Sequence, residues 1–297
     1  MITAAAVKEL REMTGCGMMD CKKALAEANG DMDKAIEWLR EKGLAAATKK
    51  AGRIAAEGLV YAETFGDKGV VIEVNSETDF VAKNEDFKTF VKTLAAIVAE
   101  NNPADVDALK ALSYTGSDLN VEEMLREKIL TIGENMNIRR FARYEGGVVT
   151  YIHGEGRIGV MVKVEADLSN AAAVEAAKDA AMQIAAMNPM YMDKSVVPAA
   201  DVEHEKGIIL AQIKEDPKNA SKPEAILEKM VEGKINKFFE ENCLLQQKFV
   251  KDDKTSVEKY LAANGVKLVD MVRFEKGDGL EKREDDFAAE VEKMAGK

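Results

Sequence analysis

The sequence is poor in the side chains that carry enzyme chemistry and metal binding. It has only two histidines and three cysteines among 297 residues. His204 stands among charged residues of a predicted helix, and His153 has no serine or cysteine nearby in sequence that it could activate. Cys16 and Cys21 are five positions apart, too far around a helix to converge on a metal ion, and no histidine is near them. We therefore expect no catalytic, cofactor or metal site.

Nucleotide-binding loops are missing as well. The sequence contains no Gly-x-x-x-x-Gly-Lys-Ser/Thr loop for phosphate. Gly154, Gly156 and Gly159 match the spacing of a dinucleotide-binding turn, but they lie inside a predicted β-hairpin rather than between a strand and a helix. These patterns argue against an enzyme.

Charge and hydropathy argue against two further classes of protein. A net charge of −11 disfavours the nucleic-acid backbone as a direct partner. No apolar run reaches membrane-spanning length, and the N-terminus lacks the basic-then-apolar pattern of a signal peptide. An odd number of cysteines fits a reducing compartment better than a disulfide framework. We expect a cytoplasmic protein that binds neither nucleic acid nor membrane.

Residues 1–54 are predicted to form a small module of three helices. Apolar residues recur at helical spacing over about 3–13, 18–28 and 31–43, and glycines separate the three segments. This pattern resembles a ubiquitin-associated (UBA-like) module. Met18 and Met19 either flank the apolar stripe of its core or offer an adaptable surface to a partner. The alanine-rich residues 44–57 are predicted to be a linker that is either irregular or partly helical.

An internal duplication organises the rest of the chain. Each copy begins with a predicted β-hairpin, continues with a helix that ends at Asn-Pro, and closes with a strand that begins at an arginine. We therefore expect an α+β fold with two subdomains, each an antiparallel sheet covered by helices on one face. The subdomains are predicted at residues 55–144 and 145–276.

The first copy has a longer turn between its hairpin and its helix. From the hairpin glycine to the proline the first copy spans 34 positions and the second 30. The extra residues fall between Val74 and Phe87, in a polar turn whose aromatic side chain is either folded onto the core or offered to a partner. Because the second copy does without this insert, we expect an exposed functional loop. Its residues are Thr78, Asp79, Phe80 and Val81.

The second copy has a larger insert of its own. From the proline to the closing arginine it spans 84 positions against 40 in the first copy. Apolar residues at helical spacing predict an antiparallel coiled-coil hairpin at about 200–242, which projects as a contact arm or packs as two ordinary helices. Phe287, Val291 and Met294 predict a C-terminal helical module within 277–297.

Several motifs, in order along the chain, resemble the bacterial translation elongation factor Ts family. They are residues 7–15, 17–25 and 78–83, Gly133-Glu134-Asn135, His153-Gly154 and residues 157–160. The resemblance covers essentially the whole length. It implies a guanine-nucleotide exchange factor that binds elongation factor Tu in its nucleotide-free and GDP-bound forms.

The resemblance also implies roles for individual residues. Residues 78–81 match the loop that intrudes on the G domain of elongation factor Tu near its Mg²⁺ and phosphates. There Phe80 would act as a wedge and Asp79 would disturb the groups that hold the ion. Met18 and Met19 would contact the same domain, and His153 the partner's third domain. Val250 matches a further contact, although Lys251 stands where some relatives carry an apolar residue.

Two other interpretations stay open. A passive adaptor would use the three-helix module and the helical arm to hold two proteins together, but the insert at residues 78–81 argues against it. A small-molecule enzyme would need a cluster of convergent polar side chains that the sequence does not offer. The helical hairpin is also compatible with a homodimer.

Overall fold

The computed structural model describes residues 2–219 and 222–282, which form eleven α-helices and eight strands. The predicted helix with Phe287, Val291 and Met294 lies outside the described residues. The helices are α1 (Ala4–Thr14), α2 (Met18–Glu27), α3 (Met32–Lys50), α4 (Asp79–Lys83), α5 (Glu85–Asn101), α6 (Val106–Ala111), α7 (Val121–Ile132), α8 (Ala171–Met187), α9 (Ala199–Glu215), α10 (Glu224–Asn242) and α11 (Val257–Ala263). The strands are β1 (Glu57–Phe65), β2 (Lys68–Ser76), β3 (Met136–Glu145), β4 (Val148–His153), β5 (Ile158–Glu165), β6 (Lys248–Phe249), β7 (Asp252–Ser256) and β8 (Lys267–Glu275).

The first three helices pack around a small core of their own. The Thr3 hydroxyl caps α1 and the Asp31 carboxylate caps α3, each by accepting a backbone N–H. Gly15, with φ of 67°, ends α1 in the left-handed conformation that glycine adopts easily. The buried side chains of this core include Leu10, Leu25 and Leu39.

Helix α3 is longer than the sequence pattern indicates. Of the two alternatives for residues 44–57, the partly helical one is correct, because the helix continues to Lys50. Alanine is the best helix former, and here the helix also packs along α7. At this contact the Lys50 ammonium donates to the Ile129 carbonyl of α7 at 3.2 Å.

Two three-stranded antiparallel sheets repeat each other in detail. The strand order is β1-β2-β3 in the first sheet and β4-β5-β8 in the second. Both have a bulge at the corresponding place, between Glu73 and Val74 in β2 and between Lys163 and Val164 in β5. The prediction of antiparallel sheets in a mixed α and β fold is confirmed.

One long helix covers each sheet and ends in the same way. Helix α5 packs onto β2 through Phe87, Phe90 and Leu94, and α8 packs onto β5 through alanines and Ile184. The helices end at Asn102 and Asn188, with φ of 47° and 46°. Asparagine tolerates this left-handed conformation better than most residues, and the proline that follows stops the helix.

The other faces of the two sheets pack against each other with the same contacts exchanged. A Cβ atom on Gly69 of β2 would lie 2.2 Å from Val148 Cγ1, and one on Gly159 of β5 would lie 2.5 Å from Val60 Cγ1. In the pairing registers Gly69 corresponds to Gly159, and Val60 to Val148. The two copies therefore meet through equivalent surfaces, as the subunits of a symmetric dimer do.

Helices α9 and α10 form the helical hairpin expected in the second copy. They pack on each other through a narrow apolar strip, and its fully buried members are Ile209, Ile213, Val231 and Ile235. Such a narrow strip is what two paired helices bury when most of their surface faces solvent.

Candidate partner-binding site

Residues 78–81 form the start of a short helix rather than a loop. Helix α4 has five residues and follows β2 directly. Val81, expected to be exposed, is instead buried in the core of the first copy. Neighbouring residues on a helix point about 100° apart, so burying Val81 turns Phe80 outward. Phe80 is 79% exposed, more than any other large apolar side chain of the described residues.

The turn is fixed at its base by a carboxylate from elsewhere in the first copy. Glu134, in the segment between α7 and β3, accepts from the Thr78 hydroxyl at 2.6 Å and from the Thr78 amide at 3.0 Å. The Ser76 hydroxyl donates to the Thr78 carbonyl at 2.9 Å. The backbone that leads into Phe80 is therefore held by three hydrogen bonds.

Asp79 is engaged with a cation of its own helix. Its carboxylate lies 2.7 Å from the Lys83 ammonium, one helical turn away. This hydrogen bond lowers the pKa of Asp79 and raises the pKa of Lys83. The same ammonium lies 5.9 Å from the centre of the Phe80 ring.

A cleft of about 560 Å³ joins α4 to the hairpin turn of the second copy. Asp79 and Lys83 line one side, and the residues before and after His153 line the other. His153 is exposed, and its Nδ1 lies 3.1 Å from the Tyr151 hydroxyl. Gly156 of this turn, with φ of 92°, packs so tightly on β1 that its carbonyl accepts from the Val60 amide at 2.8 Å. The structure thus places Asp79 of the first copy across one cleft from the turn of the second copy that carries His153.

Met18 and Met19 lie apart from this cleft, at the start of α2. They are 57% and 73% exposed, so the interpretation of both as core residues is wrong. Cys21, Ala24 and Leu25 form the buried face of α2 instead. Met13, which the sequence pattern places with the apolar stripe of α1, is also exposed. The three methionines therefore leave apolar side chains in solvent on both sides of the turn between α1 and α2.

Val250 lies on the turn between β6 and β7 and is 48% exposed. Its neighbour Phe249 is buried, with its ring stacked 4.0 Å from the ring of Tyr260. The side-chain Oε1 of Gln183 in α8 accepts from the Val250 backbone amide at 2.9 Å, and Asp179 of the same helix pairs with Lys251 at 2.6 Å. The buried polar groups of α8 therefore hold the turn that presents Val250.

Asp179 also affects the titration of the groups around it. Its carboxylate raises the pKa of Lys251 by accepting a hydrogen bond from the ammonium. Burial, together with a 2.7 Å hydrogen bond to Asp179, raises the pKa of Tyr260 to about 12. Neither Asp179 nor Gln183 belongs to a motif in the sequence. The only sign of their role in the sequence is that they are polar side chains on an otherwise alanine-rich predicted helix.

Two kinds of feature are not found in the part of the chain that the structure describes. Across residues 2–219 and 222–282, no three His, Cys, Asp or Glu side chains are grouped as metal ligands. In the same residues, no helix is both long enough and apolar enough to cross a bilayer.

Comparisons with known proteins identify the family. The family model described as Elongation factor TS matches residues 77–278. Elongation factor Ts of Clostridium perfringens strain SM101 is 51% identical over 308 aligned positions, with all of both chains covered. The chain belongs to the elongation factor Ts family. Elongation factor Ts of strains ATCC 13124 and 13 of the same species is also 51% identical over the full length.

Membership of the elongation factor Ts family confirms the resemblance found in the sequence motifs. The family model begins at Glu77, directly before Thr78, and ends at Asp278, beyond the last strand. It therefore includes α4, the cleft turn with His153 and the turn with Val250. The full-length relatives extend the match over α1 to α3 and the first hairpin. The chain is thus a member of a translation elongation factor family.

Proposed function

We propose that this chain is a guanine-nucleotide exchange factor that binds elongation factor Tu and promotes GDP release during translation elongation in the cytoplasm. The observation that supports this most is Phe80, an aromatic side chain 79% exposed on a helical turn whose base is fixed. Exposing an aromatic ring to water is unfavourable unless a partner covers it. The first copy has this turn and the second does not.

In this proposal Phe80 enters the G domain as a wedge and Asp79 disturbs the groups that hold the partner's Mg²⁺. An exchange factor must bind the nucleotide-free partner more tightly than the nucleotide-bound one, and the coupling is reciprocal. Shifting a partner from 1:99 to 99:1 requires about 5.5 kcal/mol of differential binding. Burial of one phenylalanine supplies roughly 1.5–3 kcal/mol. Further contacts must supply the rest.

Three other exposed features are suited to supply these contacts. Met18 and Met19 offer flexible apolar side chains to the G domain, and His153 lies on the turn that faces Asp79 across the cleft. Val250 presents an apolar side chain from a turn fixed by α8. Burial of the Phe80 ring alone does not provide the differential binding energy that exchange requires, so we expect contacts from several elements to contribute to it.

The remaining parts of the proposal concern organisation. We assign residues 1–54 to a UBA-like module, 55–144 and 145–276 to the two core subdomains, and 277–297 to a C-terminal module. The helical hairpin of α9 and α10 acts as an antiparallel coiled-coil arm. The chain is not an enzyme, needs no cofactor and makes no direct contact with nucleic acid. The helical hairpin could also pair with a second copy of the chain, and measuring the molecular mass in solution tests this.

The test is the release of fluorescent GDP from elongation factor Tu in excess unlabelled nucleotide. We expect a large acceleration by the chain and a much smaller one by the Asp79→Ala/Phe80→Ala double variant. Met190→Ala is the matched control, because Met190 is also a highly exposed apolar side chain but lies on another element. Binding without acceleration would contradict exchange and leave the passive adaptor.

A further inference from the structure

The geometry points to Glu134 as a positioning residue, whose carboxylate sets the direction in which α4 presents Phe80. This inference rests on the proposed function. Glu134 lies between α7 and β3, 56 residues away in sequence from Thr78, to which it is bound. It would not itself meet the nucleotide or the partner's metal ion.

Helix α4 is too short to be stable by itself. Helices of fewer than about 12 residues are marginal in water because nucleation is unfavourable, and α4 has five. A threonine that precedes a helix usually accepts a backbone N–H of the first turn. Within the described residues, the Thr78 side chain makes no such capping bond. Its hydroxyl donates to Glu134 instead, so the start of α4 is stabilised from outside.

Two anchors fix the orientation of this turn. Glu134 holds Thr78 at its start through the hydroxyl and the amide, and Val81 is buried on its inner face. A point at the end of the helix axis and a point on one face together determine the rotation about that axis. Phe80 lies between the two anchors in sequence, and its direction follows from them. Without Glu134, the buried Val81 and the single hydrogen bond from the Ser76 hydroxyl to the Thr78 carbonyl would hold the turn.

A second carboxylate, that of Glu77, links the same two segments, but here the acceptor lies before α4 and the donor lies next to Glu134. Glu77, directly before Thr78, accepts from the Asn135 amide at 2.6 Å, directly after Glu134. Glu77 also lies 3.3 Å from the Arg53 guanidinium, and the Asn135 side chain donates to the Arg53 carbonyl at 2.8 Å. Each of the two segments thus contributes a carboxylate to the other. The chain that leaves α3 is tied to both of them.

The substitution Glu134→Gln tests the inference with little change of shape. A glutamine has one carbonyl oxygen and a donating NH₂ group where the carboxylate has two acceptors. It can keep both contacts only as neutral hydrogen bonds, with its carbonyl accepting from the Thr78 amide and its NH₂ donating to the Thr78 hydroxyl, so the charge assistance is lost. Thr78→Val removes the hydroxyl and Thr78→Ser retains it. Glu145→Gln is the control, because Glu145 is paired with Arg143 at 3.0 Å at the far end of β3.

The first measurement is amide hydrogen exchange of residues 78–84 in the full chain without a partner. We expect Glu134→Gln and Thr78→Val to raise the exchange rates of these amides by about tenfold or more, as the loss of a charge-assisted hydrogen bond implies. Thr78→Ser and Glu145→Gln should leave them close to wild type. Unchanged exchange in Glu134→Gln would overturn the inference.

The second measurement is GDP release from elongation factor Tu at varied concentrations of the chain. We expect Glu134→Gln to lower the maximal release rate about tenfold and to change the concentration for half-maximal effect by less than about threefold. In a Phe80→Ala background, Glu134→Gln should have little further effect on the release rate, because both substitutions remove the same interaction of the Phe80 ring with the partner. Additive losses would show a general structural role and contradict positioning.

The two measurements separate this inference from the proposed function. If the wild-type chain did not accelerate GDP release, the proposed function would fail and positioning for exchange would fail with it. If the wild type accelerated release and Glu134→Gln matched it, the proposed function would stand and this inference alone would be wrong.

Discussion

The two copies of the hairpin–helix unit leave their central strands in different ways. In the second copy the turn after β5 is held by its own residues: the Asp167 carboxylate accepts from the Ser169 amide and hydroxyl, and Asn170 caps α8. In the first copy Asn84 caps α5 in the same manner, but α4 is inserted before it. That helix depends on Glu134, which is remote in sequence. The turn after β5, which its own residues stabilise, only connects two elements of the fold. The turn after β2, which Glu134 holds, also presents the Phe80 side chain to solvent.

The central strands differ in charge at the shared bulge. Glu73 of β2 is fully buried and accepts from Arg139 at 3.0 Å, Arg140 at 2.7 Å and the Gly277 amide at 2.8 Å. The corresponding residue of β5 is Lys163, which is partly exposed. The Glu73 cluster joins the first sheet to the segment that follows the last strand of the second. The two bulges therefore have the same backbone and different roles.

The largest effect is expected at this bulge. Glu73→Gln removes the fully buried carboxylate that pairs with two partly exposed guanidinium groups, and breaking such a cluster costs about 3–5 kcal/mol of unfolding free energy. Lys163→Gln at the corresponding position should change the free energy by less than about 0.5 kcal/mol. Urea denaturation of both variants measures the difference. Equal costs would mean that Glu73 does not hold the two copies together.

The next effect concerns the surface where the copies meet. Gly69→Ala and Gly159→Ala each force a Cβ atom into the opposite sheet, and overpacking of this kind costs about 1–3 kcal/mol. Because the contacts are exchanged between the copies, the two costs should be similar. In Gly207→Ala of α9 the new Cβ meets nothing within 4 Å, and the helix should gain up to about 1 kcal/mol. Thermal unfolding of the three variants is the measurement. A large loss of stability in only one of Gly69→Ala and Gly159→Ala would contradict the equivalence of the two sheet surfaces.

A smaller effect distinguishes the two helix caps. Asn84→Ala and Asn170→Ala each remove a side chain that accepts a first-turn N–H, at 2.8 and 3.0 Å, and each should cost about 1 kcal/mol. Asn84 also joins α4 to α5: its backbone N–H, which the substitution keeps, donates to the Val81 carbonyl, so loosening the start of α5 also loosens the end of α4. We therefore expect only Asn84→Ala to slow GDP release as well. Equal release rates in the two variants would contradict the special role of the first turn.

The smallest effect is on titration. The Lys83 hydrogen bond lowers the pKa of Asp79, and the Ser169 hydrogen bonds lower the pKa of Asp167. Each interaction is therefore fully present above the ordinary value of 3.8 and is lost as the pH falls through the lowered value. In an NMR titration, Lys83→Met should return Asp79 toward its ordinary pKa and leave Asp167 unchanged. If the pKa of Asp79 stayed lowered in Lys83→Met, groups other than Lys83 would be the cause of the shift.

Local patterns were sufficient to predict much of the fold. Both hairpins and both Asn-Pro helix ends follow from residues that act on their immediate neighbours. In these elements the stabilising contact lies within a few residues of the pattern that indicates it. The length difference between the copies marked the position of the insert with Phe80 but not its helical form.

The features that were missed depend on distant partners. Residues 78–81 become helical because Val81 reaches the core and Thr78 reaches Glu134, and neither contact is written in the turn itself. The continuation of α3 to Lys50 depends on packing against α7. An alanine-rich segment without large apolar residues gives little sign of such packing.

The measurement that tests the account most directly compares exchange with binding in Phe80→Ala. Since the ring is exposed, the substitution should leave thermal stability unchanged. We expect GDP release from elongation factor Tu to slow by roughly 10- to 100-fold, the equivalent of burying one phenylalanine, while affinity for the partner falls much less. Equal losses in release rate and affinity would show that Phe80 is an ordinary contact and contradict the wedge.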